Sequence, residues 1–165
     1  MTVKKTCIFV AGEAKVGKTS MIRALTGTWK ESFRKVKDLN GKPILALAIL
    51  SSIGERKPVL PEEFPKQLEI NAVGKSNLQD YQLLLCPIRS HYKKNGGVEA
   101  YFKAAKERGF DVKVAGVEID WNGVPSDLSK IQALCTQNNI PYLAIDASND
   151  YTIEASKLRQ AFYPR

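Results

Sequence analysis

The chain has a single histidine, only three cysteines and no apolar run long enough to cross a bilayer. Each scarcity closes off a class of function. A metal centre built on several histidines is excluded, and a Ser-His-Asp or Cys-His catalytic set would have to use His91, which no nucleophile motif accompanies. His91 is therefore read as a surface residue. Cys7, Cys86 and Cys135 lie far apart with no Cys-x-x-Cys pair. That spacing indicates free thiols in a reducing cytosol rather than a disulfide framework. Cys7 and Cys86 sit inside apolar runs and are read as small core residues. The longest apolar run, Pro43 to Leu50, suits one buried strand and no transmembrane segment. The apolar stretch Cys7 to Ala11 is too short for a secretory signal and runs straight into Glu13 and Lys15, so the expected location is cytoplasmic. Low-complexity tracts and repeats are absent as well.

What is present suits one domain over residues 1–165, with 44% hydrophobic and 25% charged residues. The net charge of +8 fits either an acidic partner, such as nucleic acid, an anionic membrane face or a protein, or plain solubility. No recognition helix, base-stacking aromatic pattern or zinc motif accompanies it, so nucleic acid is a minor option. Along the chain, Thr6 to Ala11 reads as a buried strand, and Met21, Ile22 and Leu25 then repeat at helical spacing with Gly27 as the stop. Phe33 to Leu39 and Ile44 to Leu50 flank Asn40-Gly41, a hairpin signal that calls for positive φ at both turn positions. Residues 54–79 read as a loop rich in proline with a short helix at Glu62 to Leu68. After it come a strand at Gln82 to Ile88, a helix at Val98 to Arg108 stopped by Gly109, and a strand at Val112 to Ile119. A helix from near Ser126 carries the stripe Leu128, Ile131, Leu134, Cys135; Tyr142 to Ile145 is a strand; Ile153, Leu158 and Phe162 build the closing helix. Strands alternating with helices predict a mostly parallel sheet covered on both faces.

Between the first strand and first helix lies Gly12-Glu13-Ala14-Lys15-Val16-Gly17-Lys18-Thr19, a full match to G-x-x-x-x-G-K-[ST]. Two glycines let the backbone wrap phosphate oxygens, successive N–H groups point inward, and the helix that follows adds its positive dipole end. Lys18 can reach the β- and γ-phosphates, Thr19 offers a hydroxyl to Mg²⁺, and Ser20 can touch the α-phosphate. Strand, loop and amphipathic helix in this order are the context that supports a nucleotide-binding P-loop.

The order of elements resembles the small G-domain of Ras-like GTPases over essentially the whole chain. The resemblance implies a three-layer α/β P-loop NTPase fold, with a mostly parallel six-stranded sheet, one antiparallel hairpin strand and helices on both faces. Where the family has D-x-x-G and a water-positioning glutamine, this chain has Ser51, Gly54 and Glu55, followed by Arg56. Where the family has N-K-x-D, it has Val117-Glu118-Ile119-Asp120, and only Asp120 matches. Asp146-Ala147-Ser148 is similar to the loose base-contacting S-A-K loop, and Thr28 is a counterpart of the family's metal-binding threonine. The resemblance thus implies Lys18 and Glu55 as catalytic, Thr19 as the metal residue, and Asp120 and Ala147 beside Gly12 to Ser20 as nucleotide contacts. Beside these stand plainer readings. Asp120 serves equally as a turn residue before Trp-Asn-Gly, Glu55 and Arg56 as a solvated pair, and Lys30, Arg34, Lys35 and Lys37 as protection of a sheet edge.

Three functions fit. One is a divergent GTPase-like switch, holding GTP or GDP with Mg²⁺, slow or inactive in hydrolysis, and meeting a protein partner through residues 51–79. Another is an ATPase or small kinase using ATP and ADP, with Arg89, His91 and Lys93 near an acceptor pocket. The last is a non-hydrolysing interaction module.

Overall fold

A strand of small and branched apolar residues has two faces to bury, and β1 (Thr6–Gly12) is buried along its whole length inside the sheet. It pairs in parallel with β4 (Leu83–Arg89) on one side and β5 (Asp111–Ile119) on the other. β3 (Pro43–Ala48) and β6 (Tyr142–Asp146) extend the parallel arrangement, and β2 (Ser32–Lys37) lies antiparallel to β3. The order across the six-stranded sheet is β2-β3-β4-β1-β5-β6. The structure, a computed structural model, describes residues 4–13, 16–53 and 59–165.

Alternation along β1 sends its side chains into two cores. Cys7, Phe9 and Ala11 meet Phe64 and residues of α2 (Lys66–Val73), α3 (Gly97–Glu107) and α4 (Ser129–Gln137), among them Leu68, Phe102 and Ile131. Ile8 and Val10 meet α1 (Lys18–Thr26) and α5 (Tyr151–Phe162) through Met21, Ile22, Leu25, Leu158 and Phe162. The result is the three-layer α/β arrangement expected from the sequence, with β2 as the antiparallel edge strand. Arg34, Lys35 and Lys37 stand exposed on that edge, where charge discourages further pairing. The three cysteines are buried and free. Among the described residues no helix is long and apolar enough to cross a membrane.

Four local expectations are corrected. The Asn40-Gly41 pair turns the chain, but of the two only Gly41 has positive φ, 79°. The turn is built instead on Asp38, whose Oδ1 accepts from the amides of Asn40 and Lys42, each at 2.9 Å. No helix runs from Glu62 to Leu68: Pro61–Glu63 forms one 3₁₀ turn and α2 begins after Pro65, because proline is tolerated at a helix start and not in its interior. α4 starts at Ser129 rather than near Ser126, since the Ser126 amide is held by the Glu118 carbonyl at 2.7 Å and Asp127 Oδ1 accepts from the Ser129 amide. In α5, Ile153 is 57% exposed rather than inward. Asp150 caps the helix by accepting from the Thr152 amide, and the inward positions fall on Glu154, Ala155, Leu158 and Phe162.

Gly116 marks the tightest crossing in the sheet. A Cβ there would lie 1.9 Å from the Tyr142 hydroxyl oxygen, which crosses β5 to donate to Glu118 Oε2 at 2.7 Å. Burial, and then this bond to Glu118, hold the Tyr142 phenol well above its ordinary pKa. Gly116→Ala should therefore lower the unfolding free energy by about 1–3 kcal/mol in urea denaturation. The loss should shrink in a Tyr142→Ala background, because the two residues share one contact.

Candidate functional site

The C-terminal ends of three adjacent parallel strands converge at one edge of the sheet, the position where open α/β sheets bind ligands. Gly12 ends β1, Asp120 follows β5 and Ala147 follows β6. From Gly12 the chain passes into α1 with no room for a larger residue. A Cβ on Gly12 would stand 2.7 Å from Val16 Cγ2 and 3.4 Å from Val117 Cβ. Gly17, at φ 111°, is the N-cap of α1, and a Cβ there would meet the Tyr151 hydroxyl at 2.9 Å and Ala147 Cβ at 3.3 Å. Both glycines are thus required by the geometry.

Lys18 is 4% exposed, and its ammonium donates to the Gly12 carbonyl at 3.2 Å and to the Glu13 carbonyl. The cation stands over the start of the loop, next to a helix end that has no side-chain cap and no acidic residue in its first turn. An uncapped helix N-terminus and a fixed cation together favour an anion. Thr19 and Ser20 follow in the first turn, both half-buried. Val16 turns inward and packs with the α1–α5 layer. Ala14 and Lys15 lie outside the described residues. The glycine cradle, the buried ammonium and a hydroxyl at the helix start fit phosphate oxygens with Mg²⁺, which takes hydroxyl, water and phosphate oxygens as ligands.

Thr19 Oγ1 donates to the Leu50 carbonyl at 2.9 Å, placing the helix start against the end of β3. The amides of Leu50 and Ser51 donate in turn to Glu31 Oε2, at 2.9 and 3.1 Å. Buried Cys86 on β4 has its thiol raised first by burial and then by the charge of Glu31. Thr28 takes no part in these bonds. It is fully buried, and its hydroxyl donates to the Lys30 carbonyl at 2.7 Å and lies 3.0 Å from Ser32 Oγ, so it closes its own turn. Gly54, Glu55 and Arg56 lie outside the described residues. From Val59 on, the segment is anchored: Val59, Phe64 and Leu68 are buried, and Tyr81 donates to Glu69 Oε2 at 2.7 Å.

At the end of β5, Asp120 Oδ1 accepts from the amides of Asn122 and Val124, each at 2.9 Å, so this carboxylate closes the turn that follows the strand. Val117 is fully buried against Gly12, and Glu118 is tied to Tyr142 and to Gln132 Nε2 at 2.8 Å. The Ala147 amide donates to the Ile119 carbonyl at 2.8 Å, bringing this residue to the P-loop. Asp146 holds the loop from the other side. Its Oδ1 accepts from the Ser148 hydroxyl and amide, and the hydroxyl bond is the main reason its carboxyl sits below the usual carboxylate range.

His91 is on the surface, as expected, but its Nε2 lies 2.9 Å from Glu13 Oε1 in the loop. Beside this pair a cavity of about 370 Å³ is lined by His91, Lys93, Lys130, Val98 and Leu134 among others; Arg89 is not part of its wall. The sequence reading missed two members of the site. Tyr151 reaches the loop only through folding. Glu31 carries a faint signal, since counting back from the Asn-Gly turn places it opposite Ile49.

No family model matches the sequence, and no curated protein matches it either. Solved structures do resemble it. The G-domain of FeoB from Methanococcus jannaschii aligns over 96% of this chain and 95% of its own, with 14% identity and a TM-score of 0.52. A variant of Era from Aquifex aeolicus, bound to GDP·AlF4⁻, aligns over 98% of this chain with 19% identity and a TM-score of 0.55. The alignment covers 58% of that Era structure. At such identities the likeness establishes the fold, which is that of a P-loop GTPase domain.

Two outcomes test the site. Gly17→Ala should cost about 1–3 kcal/mol in urea denaturation, and adding Tyr151→Ala should recover only the contact part, leaving the strain of the positive φ. The lowered Asp146 carboxyl stabilises the fold above the pKa of an unfolded aspartate, and this contribution is lost as the pH falls through the lower folded value. Ser148→Ala should move the Asp146 midpoint upward in a carboxyl-carbon NMR titration.

Proposed function

We propose that this chain is a single-domain, cytoplasmic guanine-nucleotide-binding protein that holds GTP or GDP with Mg²⁺ and hydrolyses GTP slowly. The observation that carries the reading is the buried Lys18 ammonium on the Gly12 and Glu13 carbonyls, beside an uncapped helix start. Such a cation suits the β- and γ-phosphates, and the glycine-lined bend lets main-chain N–H groups approach them. Mg²⁺, when bound, would neutralise charge on the phosphates, and Thr19 is the residue to hold it. GDP·AlF4⁻ in the similarly folded Era supports a guanine nucleotide here. Asp120 and Ala147 are the residues assigned to the base.

Slow hydrolysis is supported by Ser51, which carries no charge at the end of β3. Glu55 is assigned to orient the attacking water, with Arg56 offsetting its repulsion from the phosphates. The free thiols support a reducing compartment. A protein partner is assigned to residues 51–79. Burial of Val59, Phe64 and Leu68 in the core supports a limited nucleotide-dependent movement of the part from Val59 on.

A second reading rests on Val117 and Glu118. The first is buried and the second engaged by Tyr142 and Gln132, so of the four positions from Val117 to Asp120 the last alone is left to select the base, and ATP or ADP becomes a competitor. Titrating nucleotide-free protein with fluorescent guanine and adenine nucleotides separates the two. The guanine reading expects selective binding, weakened tenfold or more by Lys18→Ala through loss of a charge-assisted contact worth about 1.5–3 kcal/mol. Asp120→Ala should abolish the selectivity. Equal binding of both bases, indifferent to Asp120→Ala, would replace the guanine reading with the second.

A further inference from the structure

A P-loop reaches Mg²⁺ through the hydroxyl of Thr19, and the cation, with its two positive charges, draws carboxylates into its shell directly or through its waters. Among the described residues, the chain at the end of β3, where Thr19 touches Leu50, offers Ser51 and Ser52. Neither carries charge. Among the described residues no group of three or more His, Cys, Asp or Glu side chains could hold a metal by itself. A cation at Thr19 would therefore depend on phosphate oxygens and on a nearby acid.

Glu31 is that acid. It comes from the link between α1 and β2, and its Oε2 accepts from the amides of Leu50 and Ser51 at 2.9 and 3.1 Å. Thr19 Oγ1 donates to the carbonyl of the same Leu50 at 2.9 Å. One residue at the end of β3 thus joins the metal-binding hydroxyl and a fixed carboxylate. Both amide protons go to Oε2, which orients the carboxylate and leaves Oε1 to accept from a metal-bound water. Thr28, the other oxygen donor of this link, is committed to Lys30 and Ser32 and buried.

We propose that Glu31 holds Mg²⁺ at Thr19 through the water shell of the metal, supplying from the α1–β2 link the charge that Ser51 lacks. This rests on the nucleotide-binding reading. A carboxylate held by two amides at a strand end would also serve purely as a cap, so the test must read the metal rather than stability.

Glu31→Gln retains an oxygen to accept from both amides and removes the charge. Release of fluorescent GDP is followed against Mg²⁺ concentration in the unaltered protein and in this variant, with thermal midpoints taken without nucleotide. The expected result is a similar midpoint and a half-saturating Mg²⁺ concentration raised about tenfold, the usual scale for an outer-shell partner. Ser51→Asp in the Glu31→Gln background should bring it back towards the original. A Mg²⁺ dependence identical in Glu31→Gln and the unaltered protein would remove the role of Glu31 and leave nucleotide binding intact. Failure of the unaltered protein to bind GDP would remove the nucleotide reading and the role of Glu31 with it. Should Glu31→Gln not fold, Mn²⁺ can replace Mg²⁺ in the GDP complex of the unaltered protein. The Glu31 carboxyl-carbon NMR signal should then broaden strongly, and a signal as sharp as that of exposed Glu107 would overturn the proposal.

Discussion

A lysine ammonium almost wholly removed from water is costly unless oxygen atoms surround it, and the loop after β1 is shaped around that requirement. The Gly12 and Glu13 carbonyls turn towards Lys18, so the chain must fold back on itself within a few residues of leaving the sheet. Such a bend brings Val16 and Val117 against Gly12 and brings Tyr151 and Ala147 against Gly17, and leaves neither glycine space for a side chain. The same bend starts α1 without a side-chain cap. The proposed anion affinity would follow from the way this buried cation is satisfied.

The surrounding fold holds both ends of that bend. β1 is flanked on both sides by parallel neighbours and covered on both faces, so the strand that delivers Gly12 has little freedom. α1 and α5 share one layer, and α5 carries Tyr151 at its first turn against Gly17. The loops after β5 and β6 are fixed separately. Asp120 closes its own turn, Asp146 closes the next, and buried Glu154 accepts from the Asp146 amide at 2.7 Å. Carboxylates here are structural through their bonds to main-chain amides, and the one at Glu31 works the same way at the end of β3. The chain uses Asp and Glu repeatedly to finish loops at the C-terminal edge of the sheet.

Much of the architecture was legible because apolar periodicity reports burial directly. The strand runs, the helical stripe Met21, Ile22, Leu25 and the stops at Gly27 and Gly109 all fall within a residue or two of the observed elements. Errors gathered where a polar side chain or proline overrode the pattern: Asp38 in the hairpin, Pro65 before α2, Asp127 before α4 and Asp150 before α5. Ile153 was read as inward because an apolar residue at helical spacing was counted without knowing where the cap would set the phase. Capping bonds are local in space yet invisible to periodicity, since they depend on the side-chain oxygen finding an amide.

By itself the sequence determined the glycine and lysine motif between β1 and α1 and the layer order. Gly12, Gly17, Lys18 and Thr19 act through backbone freedom, a charge and a hydroxyl at fixed spacing, and contiguous residues keep that spacing in any fold that puts a strand before them and a helix after. Only the tertiary structure decided what stands around the loop. It buried Val117, turned Glu118 away to Tyr142, consumed Thr28 within its own turn, and carried Glu31 to Leu50 and Ser51. These outcomes depend on strand register and on which amides are left unpaired at strand ends, and both are set by contacts between residues far apart in the chain.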